Sequence, residues 1–65
     1  MRFVVMWKRY NQDESAYRPF FETNYIDEAK DFAMRLDFDE TTNVYVKDTK
    51  RDEIVRDFDA EVYRQ

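Results

Sequence analysis

The sequence predicts an α+β fold with the element order β-β-α-β-β, a four-stranded, antiparallel-rich sheet with one helix packed on one face. Segments rich in aromatic and β-branched residues lie towards both ends of the chain, and one segment between them has apolar residues at helical spacing. The connections between these segments are short and polar. With 65 residues, we expect a single small domain spanning 1–65.

Composition limits how this domain can be stabilised. The chain has no Cys and no His, so it can form neither a disulfide nor a His- or Cys-based zinc site. It compensates with six Phe, five Tyr and one Trp, each of which can bury about 150–250 Å². The lack of Cys favours a reducing cytoplasm, and no apolar run is long enough to predict a membrane span.

Residues 2–10 predict the first strand and residues 16–23 a second, antiparallel one. The first half of the first strand is apolar on both faces, which predicts a central strand covered at least partly on both sides. Pro19 cannot donate a ladder hydrogen bond. We therefore expect the second strand to lie at an edge of the sheet or to contain a bulge.

Residues 25–36 predict the helix. Asn24 is the expected N-cap, and Asp27 follows it three residues later in a variant of the capping box. Apolar residues recur on one face, and charged residues lie largely on the other. The apolar set is Ile26, Ala29, Phe32, Ala33 and Leu36.

Residues 44–47 predict the third strand, and residues 48–52 a hairpin turn. The fourth strand is expected over residues 54–58, and its period of two could extend it nearly to Tyr63. A short C-terminal helix is the alternative, and the strand is favoured. Because the chain lacks Gly, Asn and Asp must supply any left-handed turn positions.

The net charge of −4 is unevenly distributed. Residues 1–10 carry three bases and no acid, whereas residues 11–40 carry nine acids and three bases. An acidic middle disfavours direct binding of nucleic acid, which requires a basic footprint. It permits a protein partner with a basic surface, for example an enzyme that acts on nucleic acid.

The residue types also bear on catalysis. Without Cys, His or Gly, the chain cannot assemble a Cys or Ser–His nucleophile or a Gly-rich phosphate loop. Residues 37–48 resemble a calcium loop in their alternating oxygen ligands, but Thr42 stands where that loop requires Gly. An acidic helix-to-strand connection is the favoured interpretation. We therefore predict no enzymatic activity, no metal site and no cofactor.

Two sets of residues are predicted to contact a partner. The first is acidic: carboxylates one helical turn apart could meet a basic surface or imitate a row of phosphates, although an ordinary solvated helix face is the simpler explanation. This set comprises Asp27, Glu28, Asp31, Asp37 and Asp39. The second set is aromatic, because Tyr supplies large contact areas at interfaces. It comprises Tyr10, Tyr17 and Tyr45.

Residues 21–33, with the sequence FETNYIDEAKDFA, lead from a predicted hairpin into the helix. This step resembles the strand-to-helix step of the small host-takeover proteins of bacteriophages, of the type of the podovirus inhibitor of host RNA polymerase. The likeness covers roughly residues 3–47, and the present chain adds a fourth strand and an acidic tail. Small anti-restriction and anti-CRISPR proteins have a similar general organisation. The resemblance implies a non-enzymatic inhibitor that docks on a basic surface of a bacterial enzyme.

The sequence thus predicts a protein-binding module, encoded by a phage or mobile element, that inhibits or modulates a larger host protein in the host cytoplasm. The alternative is a self-assembling structural module that forms a homodimer through a sheet edge or through the open sheet face.

Overall fold

The computed structural model describes residues 1–36, 41–59 and 61–63. Its four strands form one antiparallel sheet in the order β2-β1-β3-β4, with helix α1 on one face. This confirms the predicted fold class and element order. The elements are β1 (Phe3–Arg9), β2 (Arg18–Thr23), α1 (Ile26–Leu36), β3 (Thr42–Asp48) and β4 (Glu53–Ile54), with a short 3₁₀ helix (Glu14–Ala16) between β1 and β2.

Strand β1 is central, as its apolar residues on both faces predicted. It pairs with β2 on one side and with β3 on the other. Phe3 and Val5 face the helix and are almost fully buried. On the opposite face, which α1 does not cover, Val4 and Lys8 are also buried.

Strand β2 is an edge strand and carries a bulge, so both expectations based on Pro19 are confirmed. Val5 pairs with Phe21, but the next residue, Met6, pairs with Pro19. Phe20 is therefore the extra residue of the bulge. The irregularity allows Phe20 and Phe21 both to contact the ring of Phe32 on the helix, with ring centroids 5.5 and 4.4 Å away.

Helix α1 begins one residue later than predicted, and its predicted cap is wrong. The Asn24 side-chain oxygen accepts a hydrogen bond from the Arg2 backbone N–H at 3.0 Å. The Tyr25 carbonyl instead accepts the N–H of Ala29, and the Tyr25 N–H donates to the Thr23 hydroxyl at 3.1 Å. Arg2 precedes β1, which lies beside β2, so its N–H reaches the Asn24 oxygen in place of a helix N–H. This contact joins residues 22 positions apart, which a local pattern in the sequence does not predict.

The C-terminal segment departs most from the prediction. Strand β4 covers only Glu53–Ile54, and the described residues beyond it form neither the favoured strand nor the alternative helix. The Asp59 and Glu61 N–H groups donate to the side chains of Asp57 and Asp59, both at 3.0 Å. These local bonds replace the sheet ladder with successive turns. We call residues 55–59 and 61–63 the C-terminal strap.

The strap folds over the helix-bearing face of the sheet. Val55 and Tyr63 are buried in the core cluster, and Phe58 packs against it. The Tyr63 ring lies edge-to-face on Phe3, with centroids 5.8 Å apart. The core is therefore shared by the sheet, α1 and the strap, which supplies apolar area that one short helix cannot provide.

The turn between β3 and β4 has a left-handed backbone position that is occupied by Asp, since the chain has no Gly. Asp52 has a positive φ of 53°. Asp is one of the few residues other than Gly that adopts this conformation at low cost. The expectation that Asn or Asp supplies the left-handed turn position is confirmed. Among the described residues, no helix is long and apolar enough to cross a membrane.

Candidate protein-binding surfaces

The solvent-facing side of α1 is acidic. Ile26, Ala29 and Ala33 are buried against the sheet, and Asp27, Glu28 and Asp31 are exposed. At roughly 100° per residue, these carboxylates centre on the side of the helix opposite the core. We call the three residues Asp27, Glu28 and Asp31 the acidic face. Within the described residues, none of them forms an ion pair, and Glu28 accepts a 3.4 Å hydrogen bond from Thr23.

The other two acidic residues of the predicted set, Asp37 and Asp39, lie outside the described residues. The calcium-like pattern at 37–48 falls partly outside them too. Its last residue, Asp48, binds the Arg2 guanidinium. Among the residues that the structure describes, no group of three or more His, Cys, Asp or Glu side chains is arranged to hold a metal ion.

Tyr17 and Tyr45 come together, but on the sheet face opposite α1. Tyr45 pairs with Met6, whose side chain points away from the helix, and its ring contacts Tyr17 edge-to-face at 4.7 Å. Both tyrosines are half-buried. Burial raises the pKa of the Tyr17 phenol, and the nearby charge of Glu14 raises it further.

A buried lysine supports this pair of tyrosines. Lys8 is only 3% exposed, and its Nζ lies 5.4 Å from the centre of the Tyr17 ring. The ammonium donates to the Gln12 and Arg9 carbonyls at 2.9 and 3.5 Å. Because backbone oxygens solvate the charge, Lys8 pins the β1–β2 connection to the sheet rather than presenting a cation to a partner.

Tyr10 lies apart from the other two tyrosines, at the end of β1. Its side chain is exposed, and its N–H donates to the Thr41 carbonyl at 3.0 Å. It borders an open depression of about 460 Å³ together with Trp7, Arg9, Asn11, Thr41 and Thr42.

The described acidic residues and the predicted tyrosines therefore do not form one surface. The acidic face of α1 and the Tyr17–Tyr45 pair lie on opposite sides of the sheet, and Tyr10 lies at its end. Three exposed apolar side chains that the prediction did not select lie nearer to the acidic face. They are Phe20, Tyr25 and Met34. The position of Met34 off the apolar face of α1 was a signal available in the sequence.

Phe20 is the exposed member of an aromatic cluster beside α1. Its ring lies between Trp7 and Phe32, at centroid distances of 5.7 and 5.5 Å. The Arg18 guanidinium lies 4.6 Å from the centre of the Trp7 ring. Phe20 is 50% exposed, so this flank of the helix presents a half-covered aromatic surface to solvent.

The most strongly held charges lie at the other end of the sheet. The Asp48 carboxylate is fully buried and accepts two hydrogen bonds from the Arg2 guanidinium at 3.1 and 3.0 Å. The Lys50 and Arg51 N–H groups also donate to it. Burial acts to raise the pKa of Asp48, but these hydrogen bonds outweigh it and hold the pKa below its ordinary value. The bond to Asp48 raises the pKa of Arg2.

Arg2 also connects this pair to the strap. It donates to the Tyr63 carbonyl, and its guanidinium lies 5.0 and 5.9 Å from the ring centres of Phe3 and Tyr63. Since Arg2 precedes β1, Asp48 ends β3 and Tyr63 ends the described strap, three distant parts of the chain meet at one guanidinium. Sequence reasoning missed this cluster because the contacts of Arg2 with Asp48 and Tyr63 join residues 46 and 61 positions apart.

Several cations are thus occupied away from the helix. Arg2 pairs with Asp48, Lys47 with Asp52 at 3.3 Å, and Arg51 with Glu53 at 3.5 Å. Within α1 itself, three carboxylates stand against the cations Lys30 and Arg35, so the helix has a small net negative charge. No protein-family model matches the chain, and comparison with curated proteins and with solved structures yields no match.

Proposed function

We propose that this protein is a non-enzymatic binding module that docks through the acidic face of α1 onto a basic surface of a larger protein. The observation that carries the proposal is the exposure of Asp27, Glu28 and Asp31 on the helix side turned away from the core, with no ion pair among the described residues. Clustered, unpaired carboxylates steer a cationic surface into contact and select against acidic ones.

The placement of the buried charges supports a binding role rather than a catalytic one. Asp48 is saturated by Arg2 and by backbone N–H groups, and the Lys8 ammonium is capped by carbonyls. These groups hold the fold together. A catalytic acid or base needs access to a substrate proton, which a fully engaged side chain lacks.

The proposed partner is a bacterial protein with a basic surface, of the kind that enzymes of nucleic acid metabolism use to bind phosphates. The negative charge of α1 supports this class of partner, and so does the resemblance to host-takeover proteins of phages. In this proposal the chain acts in the host cytoplasm and inhibits or modulates its partner by covering that surface.

The test compares two triple variants of equal charge. Asp27→Lys/Glu28→Lys/Asp31→Lys reverses the acidic face, whereas Asp13→Lys/Glu14→Lys/Glu22→Lys reverses three exposed carboxylates elsewhere. Wild type and both variants are coupled to beads and exposed to bacterial lysate, and bound proteins are quantified by mass spectrometry. We expect a stoichiometric basic partner with wild type and the control, and its loss with the helix variant.

Comparing the two variants distinguishes an effect of the acidic face from an effect of net charge. If both lose the partner equally, net charge alone governs binding and the acidic face is not the site. If the helix variant retains the partner, the proposal is wrong.

Self-assembly through the sheet is the second candidate, favoured by the edge position of β2 and the exposed ring of Phe20. Pro19 opposes pairing along that edge. Along a strand, the backbone N–H and C=O groups of successive residues point alternately to the two neighbouring strands. The N–H of Tyr10 binds Thr41, so the even-numbered residues of β1, including Met6, point towards β3. Pro19 is paired with Met6 without ladder bonds, and its nitrogen therefore faces the outer edge of β2. A dimer would more readily use the Tyr17–Tyr45 face, and sedimentation velocity would detect it.

A further inference from the structure

An apolar groove lies beside the acidic face, between α1 and the C-terminal strap. Ala33 and Met34 form its helix wall, Phe58 its strap wall, and Val44 of β3 lines it as well. The groove encloses about 100 Å³, which is room for one aliphatic side chain. All of the described residues that line it are apolar.

The helix wall of the groove is flanked by carboxylates. Asp27 precedes Met34 by two helical turns on nearly the same side of α1, and Asp31 precedes it by one. Both aspartates are exposed. Lys30 precedes Met34 by four residues on the same side, so the helix wall offers two carboxylates and one ammonium. An apolar side chain that enters the groove therefore brings its neighbours in sequence next to net negative charge.

The strap wall is acidic as well. Asp57 and Asp59 stand on either side of Phe58 in the chain, and both are exposed. Each uses one carboxylate oxygen to accept a backbone N–H, which fixes the position of the carboxylate. Together, α1 and the described strap carry six carboxylates against three cations.

We infer that this groove receives a leucine-sized side chain from a basic amphipathic segment of the protein partner, whose Lys and Arg residues meet the carboxylates on both walls. The inference rests on the proposed function, and it adds the apolar anchor that the acidic face lacks. Charge complementarity selects this occupant, because an acidic or neutral apolar segment gains nothing from the two acidic walls.

Met34 suits the wall of such a groove. Its side chain is 62% exposed, so it is free to close over an inserted group. Methionine is unbranched and polarisable, and adapts its shape to different apolar partners. Burial of one leucine side chain and part of Met34 predicts a gain in affinity of at least about tenfold over charge contacts alone.

The experiment uses two synthetic helical peptides with the same number of lysines. In one, leucines form an apolar stripe, and in the other each leucine is replaced by alanine. Binding is measured by titration, and the methyl groups of Met1, Met6 and Met34 are followed by NMR in methionine-labelled protein. We expect the leucine peptide to bind at least about tenfold more tightly. We also expect it to shift the Met34 methyl signal selectively, because Met6 lies on the opposite sheet face.

Matched variants complete the test. Met34→Gln removes the apolar wall, and Ile54→Gln changes an exposed apolar residue on the opposite sheet face, so neither should affect folding. We expect Met34→Gln to abolish the preference for leucine and Ile54→Gln to retain it. Equal affinities for the two peptides, or a leucine peptide that shifts Met6 instead of Met34, would overturn the groove assignment.

Failure of the groove can be told apart from failure of the acidic face. Asp27→Lys/Asp31→Lys should weaken both peptides if the acidic face contributes. When both peptides bind equally well and this variant weakens both, the groove is wrong and the acidic face stands. When the variant changes neither affinity, the proposed function fails as well.

Discussion

Arg2 and Asp48 form a bidentate ion pair that joins the start of β1 to the end of β3. The Nε and one terminal nitrogen of Arg2 lie 3.1 and 3.0 Å from the two Asp48 oxygens. The side chain of Asp48 is fully buried, while that of Arg2 remains 16% exposed. Arg2 also binds the Tyr63 carbonyl, so the pair lies where β1, β3 and the strap meet.

Breaking this pair should be costly. Asp48→Asn keeps the side-chain shape but removes the charge that Arg2 pairs with and replaces Oδ2, which accepts from Arg2, by an NH₂ donor. We expect a loss of about 3 kcal/mol in the free energy of unfolding. Urea denaturation measures it. Asp52→Asn is the control, because its ion pair with Lys47 is exposed and should contribute less than about 1 kcal/mol. Equal losses in the two variants would contradict the structural role of Asp48.

Acid should destabilise the protein through the same residue. The pKa of Asp48 is lower in the folded protein than its ordinary value of 3.8, so the folded protein binds a proton at Asp48 less readily than the unfolded chain does. Its contribution is present above about pH 4 and is lost as the pH falls through the folded-state pKa. The stability difference between wild type and Asp48→Asn should therefore be constant at neutral pH and shrink in acid. A difference that persists unchanged in strong acid would refute this linkage.

The strap should contribute to stability through Tyr63. Tyr63→Ala removes a ring that is 8% exposed and packed on Phe3, and we expect a cost of about 3 kcal/mol. That is a large share of the total for a domain of this size. Tyr63→Phe retains the ring and should cost less than about 1 kcal/mol. Thermal unfolding followed by circular dichroism distinguishes them, and a harmless Tyr63→Ala would show that the strap is dispensable.

Thr23 should stabilise the entry to α1, where the sequence pointed to Asn24. The Thr23 hydroxyl accepts the Tyr25 N–H and donates to Glu28. Thr23→Val preserves the buried shape but loses both bonds, and we expect a cost of about 1 kcal/mol. Amide hydrogen exchange of Tyr25 should accelerate at the same time. Unchanged exchange at this amide would mean that the hydroxyl does not fix the residue that precedes the helix.

Pro19 should protect the free edge of β2. Pro19→Ala places an N–H on that outer edge, and we expect a larger associated fraction in sedimentation velocity at high concentration. Glu22→Gln changes the same edge strand without adding a backbone donor, so we expect it to sediment like wild type. If Pro19→Ala sediments like wild type, Pro19 does not prevent association through the edge of β2.

Local patterns were sufficient for the order of elements. Apolar spacing fixed α1 to within one residue of its start, and Pro19 marked β2 as an edge strand because a residue without an N–H cannot sit in the middle of a ladder. The strap was mistaken for a strand because its alternation of acidic and apolar residues has the period of a strand. Its turns depend instead on Asp57 and Asp59 accepting nearby N–H groups.

The candidate surfaces were only partly accessible from sequence. Exposure of the acidic face followed from helical periodicity, since a helix that buries one side must turn the other to solvent. Whether Tyr17 and Tyr45 lie beside that face depends on which side of the sheet the helix covers, and the sequence does not encode that choice locally. The groove at Met34 could not be predicted from the sequence, because its second wall is Phe58 of the strap and the path of the strap is set by the tertiary structure.

By itself, the sequence determined the alternation of strands and helix, the placement of turns without Gly, and the segregation of charge to one side of α1. These follow from backbone preferences and from periodicity within a few residues. Only the tertiary structure decided that Arg2 binds Asp48 and Tyr63, that the strap completes the core, and that an apolar groove adjoins the acidic face. Such contacts join residues far apart in the chain, and their free energy arises only when the folded backbone brings those residues together.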